Sequence, residues 1–139
     1  MDRDLKRDLV IAWEALLPPD VRKRPATEAE LLAFESEFGP IPAEFRWFLS
    51  VLGGGPVGSE HVDDIAALRE THRKFAREFG PPRGWTLRNV FVIGWDGAGN
   101  PFGIASSGEI LGEDHNVGSI FTMSPSFERF LVSGILERH

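Results

Sequence analysis

Residues 91–104 have the sequence Phe-Val-Ile-Gly-Trp-Asp-Gly-Ala-Gly-Asn-Pro-Phe-Gly-Ile, in which two apolar runs flank a turn rich in Gly, Asp and Asn. The runs contain the β-branched and aromatic residues that favour strands. Gly97, Gly99 and Asn100 tolerate the positive φ that a tight reversal requires. The stretch therefore predicts a β-hairpin.

The segments around this hairpin predict the rest of an antiparallel sheet. Strands are expected at residues 87–93, 101–106, 109–113 and 119–123, and the short connections between them make neighbouring strands antiparallel. Apolar residues at helical spacing predict four helices before the sheet and one after it. We therefore expect an α+β fold, a single domain over residues 1–139 with a central antiparallel sheet flanked by helices.

Capping residues predict where the helices begin. Thr27 and Glu30 have the spacing of a capping box. The other expected starts are Pro42 at the first position of the third helix, Asp63 or Asp64 at the cap of the fourth, and Ser124 followed by Pro125 in the last. Phe75 and Phe79 are expected on the buried face of the fourth helix, and residues 53–55, three glycines, are expected to open an irregular connection.

Composition limits the class of protein. The chain has 139 residues, a formal net charge of −6 and a hydrophobic fraction of 42%, which is typical of one soluble globular domain. No stretch approaches the ~20 apolar residues of a membrane span, and the N-terminus mixes acids with bases, unlike a secretory signal. The chain contains no Cys, which excludes disulfides and thiolate metal sites. We expect a cytoplasmic protein that does not bind a membrane.

No catalytic or metal-binding set can be assembled from the sequence. The histidines are His61, His72, His115 and His139. No two of them have metal-ligand spacing, and a calcium loop beginning at Asp96 fails because Pro101 replaces its essential glycine. Glu109, Glu113 and Asp114 lack the apolar setting that would separate their pKa values, so we expect surface acids. The prediction is a protein without enzymatic activity, cofactor or bound metal.

Charge is distributed unevenly along the chain. Residues 69–88 carry six basic and two acidic side chains, whereas residues 89–128 contain five acidic residues and neither Lys nor Arg. The second region is suited to a basic partner, although acids of this kind also solvate loops and open sheet faces. Aromatic and basic residues do not alternate along an exposed face of the first region, so we do not expect direct nucleic-acid binding.

Several short motifs accompany the hairpin in order. They are residues 38–49 (Phe-Gly-Pro-Ile-Pro-Ala-Glu-Phe-Arg-Trp-Phe-Leu), residues 53–55 (Gly-Gly-Gly), residues 108–115 (Gly-Glu-Ile-Leu-Gly-Glu-Asp-His) and residues 126–131 (Ser-Phe-Glu-Arg-Phe-Leu). In this order and spacing the chain resembles the SMI1/KNR4, or SUKH, superfamily over about residues 27–137, with an N-terminal helix before it. The resemblance implies an α+β domain that in bacteria is widely associated with immunity to secreted polymorphic toxins, many of them nucleases. Fungal relatives have roles in cell-wall signalling.

Two functions are open at this point. One is a non-enzymatic immunity protein, a monomer or weak homodimer, that binds and occludes a basic protein toxin domain. The other is an intracellular interaction or scaffold domain with an endogenous partner. Trp95 is either an exposed interface anchor or a half-buried core residue. The residues expected to contact the partner are Glu60, Asp63, Asp64, Trp95, Asp96, Glu109, Glu113, Asp114 and His115.

Overall fold

A computed structural model describes residues 1–81 and 84–137 of the chain. The helices of this part are α1 (Arg3–Leu16), α2 (Glu28–Phe38), α3 (Ala43–Val51), α4 (Ile65–Glu78) and α5 (Phe127–Leu131), and a π-helical turn over Val132–Leu136 continues α5. The strands are β1 (Gly55–Val57), β2 (Glu60–Val62), β3 (Val90–Trp95), β4 (Pro101–Ala105), β5 (Ile110–Asp114) and β6 (Ser119–Ser124). This architecture confirms the predicted α+β fold. Pro82, Arg83 of the basic segment, and His139 lie outside the described residues.

The four-stranded sheet is a meander in which each strand pairs with the next, in the order β3-β4-β5-β6. All three pairs are antiparallel, and Val92 lies opposite Gly103, so the predicted hairpin is confirmed. A meander places successive turns at opposite ends of the sheet. Residues 96–100 and 115–118 therefore form one end, here named the double-turn end, and residues 106–109 form the single-turn end.

One face of the sheet packs against the helices through aromatic side chains. Phe34 of α2 and Phe45 of α3 lie edge-on to Phe91 of β3, with ring centroids 6.0 Å and 5.9 Å away. Phe127 of α5 contacts the rings of Phe45 and Phe48 at 5.7 Å and 5.9 Å. Such pairs contribute about 0.5–1.5 kcal/mol each beyond the burial of their area. The helices thus fix the sheet from one side, and the turns at its ends remain at the surface.

Local sequence signals mark where α2, α3 and α4 begin. The predicted capping box is formed, since Glu30 N donates to Thr27 Oγ1 at 3.1 Å and Thr27 N donates to Glu30 Oε1 at 2.9 Å. Asp64 caps α4 through its side chain. Pro42 lies at the N-cap of α3, one residue before the expected position. These signals are local, which is why the sequence carries them.

The start of the last helix differs from the prediction. Ser124 is the last residue of β6, where it pairs with Ile110, and it does not cap the helix. Ser126 is the N-cap, and its side chain accepts a hydrogen bond from Arg129 N at 3.0 Å. The Ser-Pro-Ser sequence contains two serines that could cap, and the strand pairing of Ser124 decides between them.

Two further expectations are wrong. The connection after residues 53–55 is not irregular, because Gly55–Val57 and Glu60–Val62 pair as a short hairpin. Phe79 is 37% exposed instead of buried, since α4 ends at Glu78 and Phe79 continues in extended conformation. Phe75 is half-buried. The fourth helix therefore ends one residue before the last apolar residue of its pattern.

Candidate functional site

A cleft of about 790 Å³ opens between the end of α4 and the double-turn end of the sheet. Its described lining includes Arg77, Glu78, Trp85, Gly99, Glu113, His115 and Gly118. The Trp85 ring centroid lies 6.1 Å from that of Trp95 and 6.3 Å from that of His115. Both tryptophans are half-buried and His115 is exposed. Three aromatic side chains, Trp85, Trp95 and His115, thus lie close together at this cleft. We name them the aromatic cluster.

A chain of hydrogen bonds holds Trp95 from inside the molecule. Trp95 Nε1 donates to Thr71 Oγ1 at 2.9 Å, and Thr71 Oγ1 donates to Asp63 Oδ2 at 2.5 Å. Asp63 is only 7% exposed. Burial raises the pKa of its carboxyl to about 6, against the opposing effect of the Thr71 hydrogen bond. Asp63 therefore orients Trp95 through Thr71 from the interior of the protein. The expectation that Asp63 presents its charge at the surface is wrong.

The basic helix α4 contacts this cluster directly. Lys74 Nζ lies 4.4 Å from the centroid of the Trp95 ring, within the range of a cation–π interaction. Glu78 accepts from Lys74 Nζ at 2.8 Å and from Trp85 Nε1 at 3.0 Å. These two bonds, that of Lys74 first, lower the pKa of Glu78. The basic and acidic segments, separate in the sequence, are neighbours in the structure.

Asp96 builds the first turn of the double-turn end. Its Oδ1 accepts from the backbone N–H groups of Ala98 and Asn100, both at 2.9 Å, and its Oδ2 accepts from Asn100 Nδ2 at 3.1 Å. Burial alone would raise the pKa of Asp96, but the hydrogen bonds from Asn100 and Ala98, together with the nearby His115, lower it. Asp96 is therefore an ionised carboxylate with a structural task in the turn.

Asn100 joins the two turns of this end. It is 6% exposed, and its Oδ1 accepts from His115 N at 2.9 Å while also contacting His115 Nδ1. Because Asn100 donates to Asp96 at the same time, one side chain fixes both the β3–β4 turn and the β5–β6 turn. The position of His115 is thus determined by a residue 15 places earlier in the chain.

Glu113 is a buried structural acid. It is 4% exposed, and its Oε1 accepts from Thr86 N and Leu87 N, each at 2.8 Å. The expectation of a surface acid is therefore wrong for this residue. The two bonds attach the segment that carries Trp85 to strand β5, so Glu113 fixes the position of this segment at the cleft.

The remaining predicted acids lie in different places. Glu60, at the start of β2, is partly exposed, and burial followed by the charge of Asp96 raises the pKa of its carboxyl. Asp64 caps α4 by accepting from Ala67 N at 2.8 Å. Asp114 begins the second turn of the double-turn end, where it accepts from Asn116 N at 2.8 Å. Glu109 lies at the single-turn end, where it contacts Ser107 and Thr122, so it does not share a surface with the others.

The structure thus brings together five of the nine predicted residues, Glu60, Trp95, Asp96, Asp114 and His115, at or beside the double-turn end. Sequence reasoning missed Trp85, Lys74 and Asn100 as members of the site. Asn100 was recognised only as a turn residue. Trp85 follows a Pro- and Gly-rich segment with no periodicity, so no pattern in the sequence indicates that it reaches the cleft.

Neither a metal centre nor a membrane segment is found in the described part of the chain. Within residues 1–81 and 84–137, no group of three or more His, Asp or Glu side chains could hold a metal ion. In the same residues no helix combines the length and apolar character needed to cross a bilayer.

The fold is that of a small α+β domain whose aromatic and polar side chains gather at one end of an antiparallel sheet. Residues 25–133 match the model of the SMI1/KNR4 family (SUKH-1), which covers most of the chain from the segment before α2 to the π-helical turn. The chain therefore belongs to the SMI1/KNR4 family, and the resemblance noted from its motifs is confirmed. A search of curated proteins found no match.

Proposed function

We propose that this protein is a non-enzymatic, cytoplasmic immunity protein that binds a cognate secreted toxin domain and blocks it sterically. The observation that carries the proposal is the aromatic cluster beside the acids Glu60, Asp96 and Asp114. Tryptophan is one of the side chains enriched among the residues that contribute most to binding at protein interfaces. Membership of the SMI1/KNR4 family is compatible with this role.

The charges near the cluster favour a basic partner. Glu60 makes no ion pair among the described residues, and its pKa is raised first by burial and then by the nearby carboxylate of Asp96. A basic side chain of the partner would relieve this repulsion between the two acids. Complementary charge of this kind mainly accelerates association, whereas the desolvated aromatic contacts slow dissociation.

The internal hydrogen bonds make the surface rigid before a partner arrives. Thr71 fixes Trp95, Asn100 fixes His115, and Glu113 fixes the segment that carries Trp85. A preformed surface loses less conformational entropy on binding, which increases affinity without any additional contact. We therefore assign Asp63, Asn100 and Glu113 to positioning and the exposed groups to contact.

The test is co-expression with the toxin domain encoded beside the gene for this chain, combined with binding kinetics. Glu60→Lys and Asp114→Lys are the acid variants, and Trp85→Ala is the anchor variant. Glu14→Lys reverses an exposed acid on α1 and is the matched control. We expect the acid variants to slow association, Trp85→Ala to accelerate dissociation, and the control to protect cells as the wild type does.

The contrary outcomes are specific. Full protection by the combined Glu60→Lys, Asp114→Lys and Trp85→Ala variant would place the toxin interface elsewhere on the chain. A wild-type chain that neither binds nor neutralises the neighbouring toxin would overturn the immunity role and leave the scaffold function.

Reversal of a basic residue on α4 is a second control. Arg73 suits this control better than Arg77, because Arg73 pairs with Glu37 and Glu70 whereas Arg77 lines the cleft.

A further inference from the structure

Strand β6 is the unpaired edge of the four-stranded sheet. It pairs with β5 on one side, and none of the described strands pairs with its other side. The opposite edge, β3, is covered: Asp63 N donates to Ile93 O at 2.9 Å, and His72 Nε2 donates to Val92 O at 2.8 Å. An uncovered edge presents a row of backbone donors and acceptors that can pair with another strand. Of the two edges of the four-stranded sheet in the described residues, β6 is therefore the one accessible for such pairing.

The β6 edge has exposed apolar side chains, whereas the edge strands of monomeric proteins usually have features that prevent pairing with another chain. Val117 is 72% exposed, Ile120 is 49% exposed and Phe121 is 41% exposed. Natural edges are blocked by Lys, Pro, bulges or covering segments. Here the register shift of the β5–β6 pair lies at the Ser124 end and Pro125 follows the strand, so residues 119–122 are unprotected.

Charge indicates which occupant fits this edge. Residues 115–126 contain no Asp, Glu, Lys or Arg, although the chain has a net charge of −6. A basic toxin would be attracted to acids, whereas a second copy of an acidic chain can approach closely only where acids are missing. Glu109, in the turn before β5, contacts β6 through Thr122 Oγ1 at 3.3 Å. The acids on β5, Glu113 and Asp114, pair with Ile120 and Ser119 and would lie at least three strand spacings, about 14 Å, from their equivalents across a β6–β6 pair. That exceeds the Debye length of about 8 Å at physiological salt.

We propose that two copies of this chain associate by antiparallel pairing of their β6 strands about a two-fold axis, which forms a continuous eight-stranded sheet. The contact patch is small, because it consists of one strand and the side chains of Val117, Ile120 and Phe121. Interfaces of this size give weak, reversible dimers. The inference is independent of the proposed toxin binding.

Sedimentation velocity from micromolar to millimolar concentration tests the association. The wild type is expected to dimerise, and Ile120→Lys is expected to weaken the dimer by about tenfold or more, because two like charges then face each other across the pair. Ile11→Lys, at a 59% exposed isoleucine on α1, is the matched control and should leave the dimer unchanged. Lowered salt should weaken this dimer, because the Debye length then exceeds the separation of the acids, whereas it should strengthen a complex with a basic toxin.

Pulsed EPR gives a second readout that does not depend on a destabilising variant. The chain has no Cys, so Ser119→Cys provides a single spin-label site. Pairing of six-residue strands limits the separation of the two labelled backbones to about 20 Å, whereas Ile11→Cys labels should give no such distance. A monomer at every concentration, or equal weakening by Ile120→Lys and Ile11→Lys, would overturn the proposal. A monomer whose Ile120→Lys variant loses toxin neutralisation would also overturn it and would assign the edge to the toxin.

Discussion

At the double-turn end of the sheet, the buried side chain of Asn100 joins two turns and that of Glu113 attaches a third segment, whereas at the single-turn end the side-chain hydrogen bonds are made by exposed or half-buried groups. There Gly108 N donates to Ala105 O at 2.8 Å, and Ser107 Oγ donates to Glu109 Oε1 at 3.1 Å. Asn100 and Glu113, which join segments at the first end, are buried, whereas Ser107 and Glu109 of the second end are exposed and half-buried. Chemically similar residues therefore have different energetic roles in the same sheet. The end with buried cross-links is the one that carries the aromatic cluster.

Replacement of Glu113 should give the largest loss of stability at either end. Glu113→Ala leaves the part-buried N–H group of Thr86 and the buried N–H group of Leu87 without this partner, so we expect the free energy of unfolding to fall by about 3 kcal/mol. Urea denaturation measures this loss. Glu109→Ala, the matched change at the single-turn end, should cost less than about 0.5 kcal/mol. Equal losses for the two variants would contradict the distinction between the ends.

The buried carboxyl of Asp63 should make the stability depend on pH. Its pKa of about 6 in the folded state lies above the unfolded value of 3.8, so folding favours the protonated form. The contribution of Asp63 is therefore fully present below about pH 3.8 and is lost as the pH rises through 6, up to about 3 kcal/mol in total.

The difference between wild type and Asp63→Asn isolates this effect from the other acids. In denaturation experiments, we expect the free energy of unfolding of the wild type, relative to that of Asp63→Asn, to decrease between pH 4 and pH 6.5. The total decrease should be at most about 3 kcal/mol. Asp64→Asn, which keeps a capping oxygen at the start of α4, is the control and should show no comparable slope. A constant difference across this pH range for Asp63→Asn would show that the carboxyl is ionised throughout.

Removal of Asn100 should have a smaller effect on stability and a larger one on the site. Asn100→Ala loses the bonds to His115 N and Asp96, and we expect a cost of about 1–2 kcal/mol. Amide hydrogen exchange should accelerate in both turns of the double-turn end, although the substitution lies in only one of them. Ser107→Ala, in the single-turn end, should affect exchange only in its own turn. Accelerated exchange confined to residues 96–100 in Asn100→Ala would refute the cross-link.

The sequence predicted the parts of the fold that depend on local signals. The Gly- and Asn-rich turn of the 91–104 hairpin, the capping box at Thr27 and the four sheet strands each have a pattern within a few residues. The β1–β2 hairpin was missed because strands of three residues are too short to show alternation. Phe79 was misplaced because the apolar spacing of α4 continues past the point where the helix ends.

The candidate site was predicted less well because its bonds connect distant residues. Glu113 lies 27 residues from Thr86, and Trp95 lies 24 residues from Thr71. An acid that is exposed and an acid that caps buried N–H groups look the same in a sequence. The charge pattern of the sequence indicates that α4 and the hairpin belong to different regions of the surface. In the structure Lys74 of α4 packs on the ring of Trp95 in the hairpin, so the two regions are adjacent.

The 6.1 Å separation of Trp85 and Trp95 also gives the site its own optical signal. Two indoles at this distance couple their strong excited states and contribute a paired band to the far-ultraviolet circular dichroism spectrum. The other tryptophans are Trp13 in α1 and Trp47 in α3, and neither belongs to the aromatic cluster. A ligand that moves or covers either cluster ring would change this band, so binding at the cleft could be followed on the unlabelled chain.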